Sequence, residues 1–218
     1  ISETAPPPAE GHAATAPKNA DILMEGLLEK SETGFLPVVR KGDGLTSFRA
    51  YQLPFDFKKA DKPVIVFVVK DFGLSAETSQ SALDILPPEV GFVLSPYSTL
   101  PDEWIRLARE SKHEICVNTP IENKSLAHND SGSATIMTNS SYVQKLGALH
   151  WTLSRGSGYI GVSSDTDEMI LNNKEQYSTL MDEVYDRGLG YLELNPNANS
   201  FIQSKALAKD APYIKADM

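Results

Sequence analysis

From residue 62 onward, short apolar runs alternate with amphipathic segments, and this pattern constrains the fold more than any other feature. The runs are continuous, which is typical of parallel strands buried on both faces. They lie at residues 64–69, 90–95, 114–118, 159–162 and 189–194. Helical periodicity falls at residues 76–86, 102–111, 142–155, 174–187 and 200–209. The repetition predicts an α/β fold, either a βα barrel or an open doubly wound sheet, in which functional groups gather at the carboxyl ends of the strands.

The first 61 residues follow a different pattern and predict a separate extension. Residues 1–19 are rich in Pro and Ala, which predicts a disordered linker. Within residues 20–61, apolar spacing predicts a helix over residues 21–30, and alternation predicts a strand over residues 48–53. Residues 62–218 then form the β/α domain.

Composition limits the classes of function. With 41% hydrophobic residues, the chain can form one well-cored domain. The net charge of −9 argues against a nucleic-acid partner, which would require a basic face. No run approaches the roughly 20 apolar residues of a membrane span. Because the chain begins at Ile1 and not at Met, we expect that a leader or anchor has been removed before it. Cys116 is the only cysteine, which excludes an intrachain disulfide and a cysteine-based zinc site.

Five segments occur in the order and spacing of one known family. They are Val69-Lys-Asp-Phe-Gly73, Leu86-Pro-Pro-Glu-Val90 with Leu94-Ser-Pro-Tyr97, Lys112 to Glu122, Asn129-Asp-Ser-Gly132, and Gly158-Tyr-Ile-Gly-Val-Ser-Ser-Asp165. Together they resemble the divergent polysaccharide deacetylases of the NodB-like superfamily. The resemblance implies a distorted (β/α) barrel, here incomplete at the C-terminus, and a location in the periplasm or cell envelope.

The resemblance also implies a chemistry, namely metal-assisted hydrolysis of an N-acetylated sugar, and it places that chemistry on particular residues. The second Asp of the family's pair, a metal ligand, corresponds to Asp71, and the first, the base, corresponds to Lys70. The two histidines of the family's motifs correspond to Asn118 and Asp165, and a later acidic residue corresponds to Glu193. Both imidazoles and the base are therefore replaced.

These replacements favour a site that has lost its activity. Zinc prefers nitrogen and sulfur donors, whereas the candidate metal ligands Asp71 and Asp165 would suit Mg²⁺ or Ca²⁺ better. Loss of a carboxylate base removes roughly 10²–10⁴-fold of rate. The ammonium group of Lys70 could instead neutralise Asp71. The sequence predicts no cofactor, or zinc, magnesium or calcium if the site is active.

Other residues at the strand ends are candidates for binding or for packing. Tyr97, Glu122 and Asn195 are the candidate groove residues. The polar insertion over residues 121–138 follows the third strand and could cover the groove as a lid. Ser75 is expected to cap a helix, and His113 to bond the backbone at a strand entrance.

Three functions therefore stay open from the sequence. The preferred one is a catalytically inactive envelope protein that binds peptidoglycan, another glycan or a periplasmic protein through the vestigial groove. The alternatives are a metal-dependent deacetylase with unusual oxygen ligands and a protein–protein scaffold.

Overall fold

The computed structural model describes residues 23–56, 62–124, 132–198 and 201–217. A small hairpin comes first, formed by β1 (Leu28–Lys30) and β2 (Phe35–Pro37), followed by the short helix α1 (Ser47–Tyr51). The main sheet contains β3 (Val68–Phe72), β4 (Gly91–Leu94), β5 (Ile115–Asn118), β6 (Gly161–Ser164), β7 (Gly190–Glu193) and β8 (Tyr213–Lys215). Its helices are α2 (Ala76–Ile85), α3 (Pro101–Glu110), α4 (Tyr142–Leu153), α5 (Lys174–Asp186) and α6 (Phe201–Ala208), with a 3₁₀ turn at Glu168–Asn173.

The strand order distinguishes the two architectures that the sequence left open. The six strands lie side by side in chain order, β3 to β8, and every neighbouring pair is parallel. A doubly wound sheet would reverse its strand order at a switch point, and this sheet does not. The sheet curls into a half-barrel, so the prediction of a distorted (β/α) barrel is confirmed.

The strand register assigns each side chain to one face of the sheet. Leu94, Val117, Val162, Tyr191 and Tyr213 stand opposite one another along a single row. This row packs with apolar residues of α3 to α6 in the main core. Because side chains alternate along a strand, the neighbouring residues point away from the helices, onto what we call the inner face.

Part of the secondary structure predicted for the N-terminal extension is wrong. Where the sequence predicted a helix over residues 21–30, the described part from residue 23 contains β1, which pairs antiparallel with β2. Where it predicted a strand over residues 48–53, the chain forms α1. Thr46 caps α1 by accepting the Arg49 N–H, and Tyr51 is buried in a small cluster with Leu27 and Ile160. These tertiary contacts override the alternation of apolar residues.

The first strand of the sheet also differs from its prediction. Residues 64–69 were expected to form a buried strand, with Lys70 and Asp71 in the loop after it. Instead β3 begins at Val68, and Lys70 and Asp71 lie within it. Among the described strands β3 pairs only with β4, so no described strand lies along its outer edge. The apolar run that leads into it is therefore exposed, by 76% at Ile65 and 67% at Phe67.

The remaining elements agree with the sequence to within a few residues. Ser75 caps α2 by accepting the Thr78 N–H, as predicted. None of the described helices combines the length and hydropathy of a membrane span. The predicted linker over residues 1–19, and residues Asn129, Asp130 and Ser131 of the fourth motif, lie outside the described residues.

Candidate functional site

The carboxyl end of β3 presents Lys70 and Asp71 to solvent. The register shifts between Val69 and Phe72, and Asp71 has a φ of 59°. This left-handed conformation is uncommon outside glycine, although aspartate tolerates it better than most residues. Both side chains are exposed, and the Asp71 carboxylate has no hydrogen-bond partner within the described ranges. Asp71 is therefore free to contact a ligand.

Asn118 lies on the inner face at the end of β5. Its register partners along the sheet are Ser163, Leu192 and Ile214, which face the same side. The next residue, Thr119, donates its backbone N–H to the Ser163 carbonyl at 2.7 Å. The side-chain hydroxyls of Thr119 and Ser163 are both buried and have no hydrogen-bond partner among the described residues. These two hydroxyls form a buried polar region near Asn118, and the sequence analysis did not predict it.

Glu193 does not share that face. It stands opposite Ser164 and Lys215 on the row that faces the helices, whereas Asn118 stands opposite Ser163. The Glu193 side chain is fully buried and accepts from the backbone N–H groups of Thr166, at 3.2 Å, and Asn195, at 3.0 Å. It also accepts the Thr166 hydroxyl. Burial raises the pKa of this carboxyl, and the hydrogen bonds partly oppose that rise.

Glu193 therefore holds two loops together and is not joined to Asn118 in one pocket. Its partner Thr166 was missed from the sequence, because a threonine directly after an exposed aspartate gives no sign of a buried bond. Asn195, a candidate groove residue, also donates its side-chain amide to the Thr166 carbonyl at 2.7 Å. The Asn195 Oδ1 accepts the Asn197 N–H at 2.9 Å, so both ends of its side-chain amide bond backbone groups.

Asp165 is exposed just beyond β6, near the end of the half-barrel that carries Asn118. Its backbone carbonyl accepts the side-chain amide of Asn123 at 3.3 Å. The nearby Asp167 carboxylate accepts the backbone N–H groups of Met169 and Lys124, both at 2.8 Å. Asp167 therefore caps the 3₁₀ turn, so this acidic stretch is a hydrogen-bonded turn.

The two other groove candidates support the loops around the site. Glu122 accepts both the backbone N–H and the hydroxyl of Thr138, each at 2.5 Å. Residues Ile121 and Ile136 form an isolated parallel bridge, so the two ends of the polar insertion lie together. The Tyr97 hydroxyl accepts the Ala134 N–H at 3.2 Å.

Lys145 is the least expected residue in this region. It is fully buried in α4, and its ammonium group donates to the carbonyl of Thr138 at 3.0 Å and to that of Ser140. Burial lowers the pKa of Lys145, and the negative charge of Glu122 opposes this. Lysine is common on exposed helix faces, so periodicity alone could not have indicated this role.

His113 has the structural role that the sequence predicted, and Trp104 is also a packing residue. The His113 ring is buried, and its Nδ1 lies 2.8 Å from the Val90 carbonyl. Trp104 packs edge-on against Phe72, with ring centroids 5.5 Å apart. Neither side chain is available to a ligand.

The donor set at the strand ends does not fit a zinc centre. Zinc sites use nitrogen and sulfur donors, whereas Asp71, Asn118 and Asp165 offer only oxygens or an amide. Asp71 and Asp165 belong to strands three places apart, which is roughly 14 Å along the sheet. Within residues 23–56, 62–124, 132–198 and 201–217, no three His, Cys, Asp or Glu side chains are close enough to share an ion.

Comparison with known proteins agrees with the fold and the motifs. An uncharacterized protein of Agrobacterium tumefaciens C58 has a similar crystal structure, with a TM-score of 0.74 and 28% sequence identity. The similarity covers 84% of this chain and 73% of that one. No curated protein matches the sequence. Residues 67–218 match the family described as divergent polysaccharide deacetylase, which is most of the chain and nearly the whole half-barrel. The protein therefore belongs to the divergent polysaccharide deacetylase family.

Proposed function

We propose that this domain binds an N-acetylated glycan at the carboxyl ends of its strands and does not hydrolyse it. One observation carries the proposal, which is the set of residues at the positions of the family's chemistry. Lys70 stands at the position of the base, and Asn118 and Asp165 stand at the positions of the histidines. The chain has the half-barrel fold of the family, and its side chains at these positions can form hydrogen bonds.

The chemistry of those residues supports binding without turnover. Amide hydrolysis by this route requires a polarised carbonyl and a general base. Lys70 is exposed beside Asp71 and puts an amine where the resemblance expects a carboxylate base, so the carboxylate that would take the proton is missing. The amide of Asn118 can both donate to and accept from sugar hydroxyls and acetamido groups.

The location follows from the proposed ligand. Acetylated polysaccharides such as peptidoglycan lie in the bacterial cell envelope, so we place the protein there, with the glycan or an envelope protein as its partner. Fractionation of cells expressing the full-length gene product tests this part separately. Recovery of the protein only in the cytosolic fraction would contradict it.

Binding and hydrolysis can be measured in the same sample. Isothermal titration calorimetry with N-acetylglucosamine oligomers measures affinity, while released acetate measures turnover. We expect binding without acetate release, and at least tenfold weaker binding in Asn118→Ala and Asp71→Ala. The matched control is Asp84→Ala, which removes an equal charge from the exposed face of α2 and should leave the affinity unchanged. Equal affinity in all variants would refute the proposal.

Each alternative has one observation in its favour. The exposed, unpaired carboxylate of Asp71 favours a metal-dependent deacetylase with oxygen ligands. That reading predicts acetate release that requires added Mg²⁺, Ca²⁺ or Zn²⁺ and disappears in Asp71→Ala. The exposed apolar run before β3 favours a scaffold that contacts another protein through the sheet edge. That reading predicts partner binding that is lost in Val66→Lys and kept in Asn118→Ala.

A further inference from the structure

A pocket lies at the opposite end of the sheet from the candidate glycan site. Helix α3 starts after the carboxyl end of β4 and ends before the amino end of β5, so its last turn lies at the amino ends of the strands. Arg109 and Glu110 of that turn, with Met24, Ala50 and Tyr51, line an open pocket of about 290 Å³. Ligand pockets span roughly 300–1,000 Å³, so this one is suited to a small molecule.

Arg109 differs from the other partly buried arginines in the described structure. Arg187 pairs with two glutamates, Arg106 also pairs with two, and Arg155 donates to two backbone carbonyls. Within the described ranges, Arg109 has no ion pair and no side-chain hydrogen bond, and its Nη1 is buried without an acceptor. Burial lowers the pKa of this guanidinium. Arg109 also lines the pocket, where its guanidinium can donate hydrogen bonds to an anionic ligand.

The pocket wall beside Arg109 is rigid and largely apolar. The Arg109 guanidinium carbon lies 5.5 Å from the centroid of the Tyr51 ring, within the range of a cation–π contact. The Tyr51 hydroxyl accepts the Met24 backbone N–H at 3.0 Å, which fixes the ring. Ala50, whose side chain is a single methyl group, also lines the pocket.

The two nearest carboxylates leave Arg109 available. Glu110 forms an ion pair with Arg106 at 2.5 Å, and Arg106 also pairs with Glu103. The Glu114 carboxylate attracts Arg109 from a distance but accepts the backbone N–H of Leu53 at 2.6 Å. Neither carboxylate forms an ion pair with Arg109 within the described part of the chain.

We propose that this pocket binds a small organic carboxylate with an apolar body. The carboxylate accepts hydrogen bonds from the Arg109 guanidinium, and the apolar body packs against Met24, Ala50 and Tyr51. Inorganic phosphate would satisfy the charge and leave the apolar wall uncovered, so the geometry favours the organic acid. The pocket is remote from the strand ends that carry the proposed glycan site, so its ligand can bind whether or not a glycan is present.

The probe for this proposal is benzoate, with neutral benzamide and inorganic phosphate as matched comparisons. Calorimetric titration of the intact protein should give saturable benzoate binding, at least tenfold tighter than that of benzamide or phosphate. Arg109→Gln should weaken benzoate binding at least tenfold. Arg49→Gln removes an equal charge from the exposed face of α1 and should change the affinity less than twofold.

A second variant fills the pocket and leaves its charges in place. Ala50→Leu keeps Arg109 and should also weaken benzoate binding at least tenfold, so the test does not depend on whether Arg109→Gln folds. Equal binding of benzoate and benzamide would overturn the proposal, because the cation would then play no part. Benzoate affinity unchanged in both pocket variants, or no saturable binding to the unmodified protein, would also overturn it.

Discussion

Glu193 provides a prediction whose size and pH dependence both follow from its surroundings. The carboxylate is fully buried and holds the Thr166 and Asn195 N–H groups and the Thr166 hydroxyl. Glu193→Ala would leave two N–H groups without an acceptor, at roughly 1–3 kcal/mol each, and would create a small cavity. We therefore expect Glu193→Ala to lower the free energy of unfolding by about 3–5 kcal/mol.

The pH dependence of the free energy of unfolding separates the effect of burying the charge from the effect of the hydrogen bonds. Burial raises the pKa of Glu193 in the folded state above its unfolded value. The stability that this residue contributes is therefore fully present when the pH is below the usual pKa of a glutamate. It is lost as the pH rises through the pKa of Glu193 in the folded state. Glu193→Gln keeps one oxygen for the N–H groups and cannot ionise, so it should not show this loss.

Urea unfolding of the original protein, Glu193→Gln and Glu193→Ala at about pH 4 and about pH 8 measures both effects. The difference between the original protein and Glu193→Gln cancels the contributions of the other acidic groups. We expect this difference to shift in favour of Glu193→Gln as the pH rises. A difference that is constant, or that shifts the other way, would refute the assigned direction. A loss below about 1 kcal/mol in Glu193→Ala would refute the assigned hydrogen bonds.

Four further predictions address packing and the exposed apolar run before β3. A Cβ at Gly161 would lie 2.4 Å from the Gly190 carbonyl oxygen, so Gly161→Ala should cost at least about 3 kcal/mol in urea unfolding. Gly147→Ala, on a helix with open space around it, should instead stabilise the protein by up to about 1 kcal/mol. Lys145→Met should cost about 1–3 kcal/mol, because the Ser140 carbonyl loses the ammonium donor and the Thr138 carbonyl keeps only the Asn173 amide; a neutral effect would contradict the buried ammonium. Val66→Lys on the exposed run should reduce concentration-dependent light scattering, and unchanged scattering would count against an exposed apolar edge.

The elements from β4 onward could be predicted because local pattern and tertiary environment agree there. Strands such as β4 are buried on both faces and therefore read as continuous apolar runs. The prediction failed at α1, where the Thr46 cap and the contacts of Tyr51 outweigh alternation. The strand predicted over residues 64–69 is found a few residues later, as β3. The cause is that an exposed apolar run before an edge strand has the same sequence pattern as a buried strand.

The candidate site was harder to predict, because its geometry depends on which face each residue occupies. Asn118 and Glu193 both lie at strand ends, yet the register places them on opposite faces. A shift of one residue along a strand reverses the face of its side chain, and motif spacing does not fix that register. Thr166 bonds Glu193, which is distant in sequence, and Lys145 bonds carbonyls of the segment just before α4; neither role has a recognisable sequence pattern.

The most direct test of the central claim combines acetate release with binding of N-acetylglucosamine oligomers, measured with added zinc, magnesium and calcium. We predict saturable binding that is weakened in Asn118→Ala and no acetate above the protein-free background with any metal. Metal-dependent acetate release that is abolished in Asp71→Ala would contradict the claim and establish a working deacetylase.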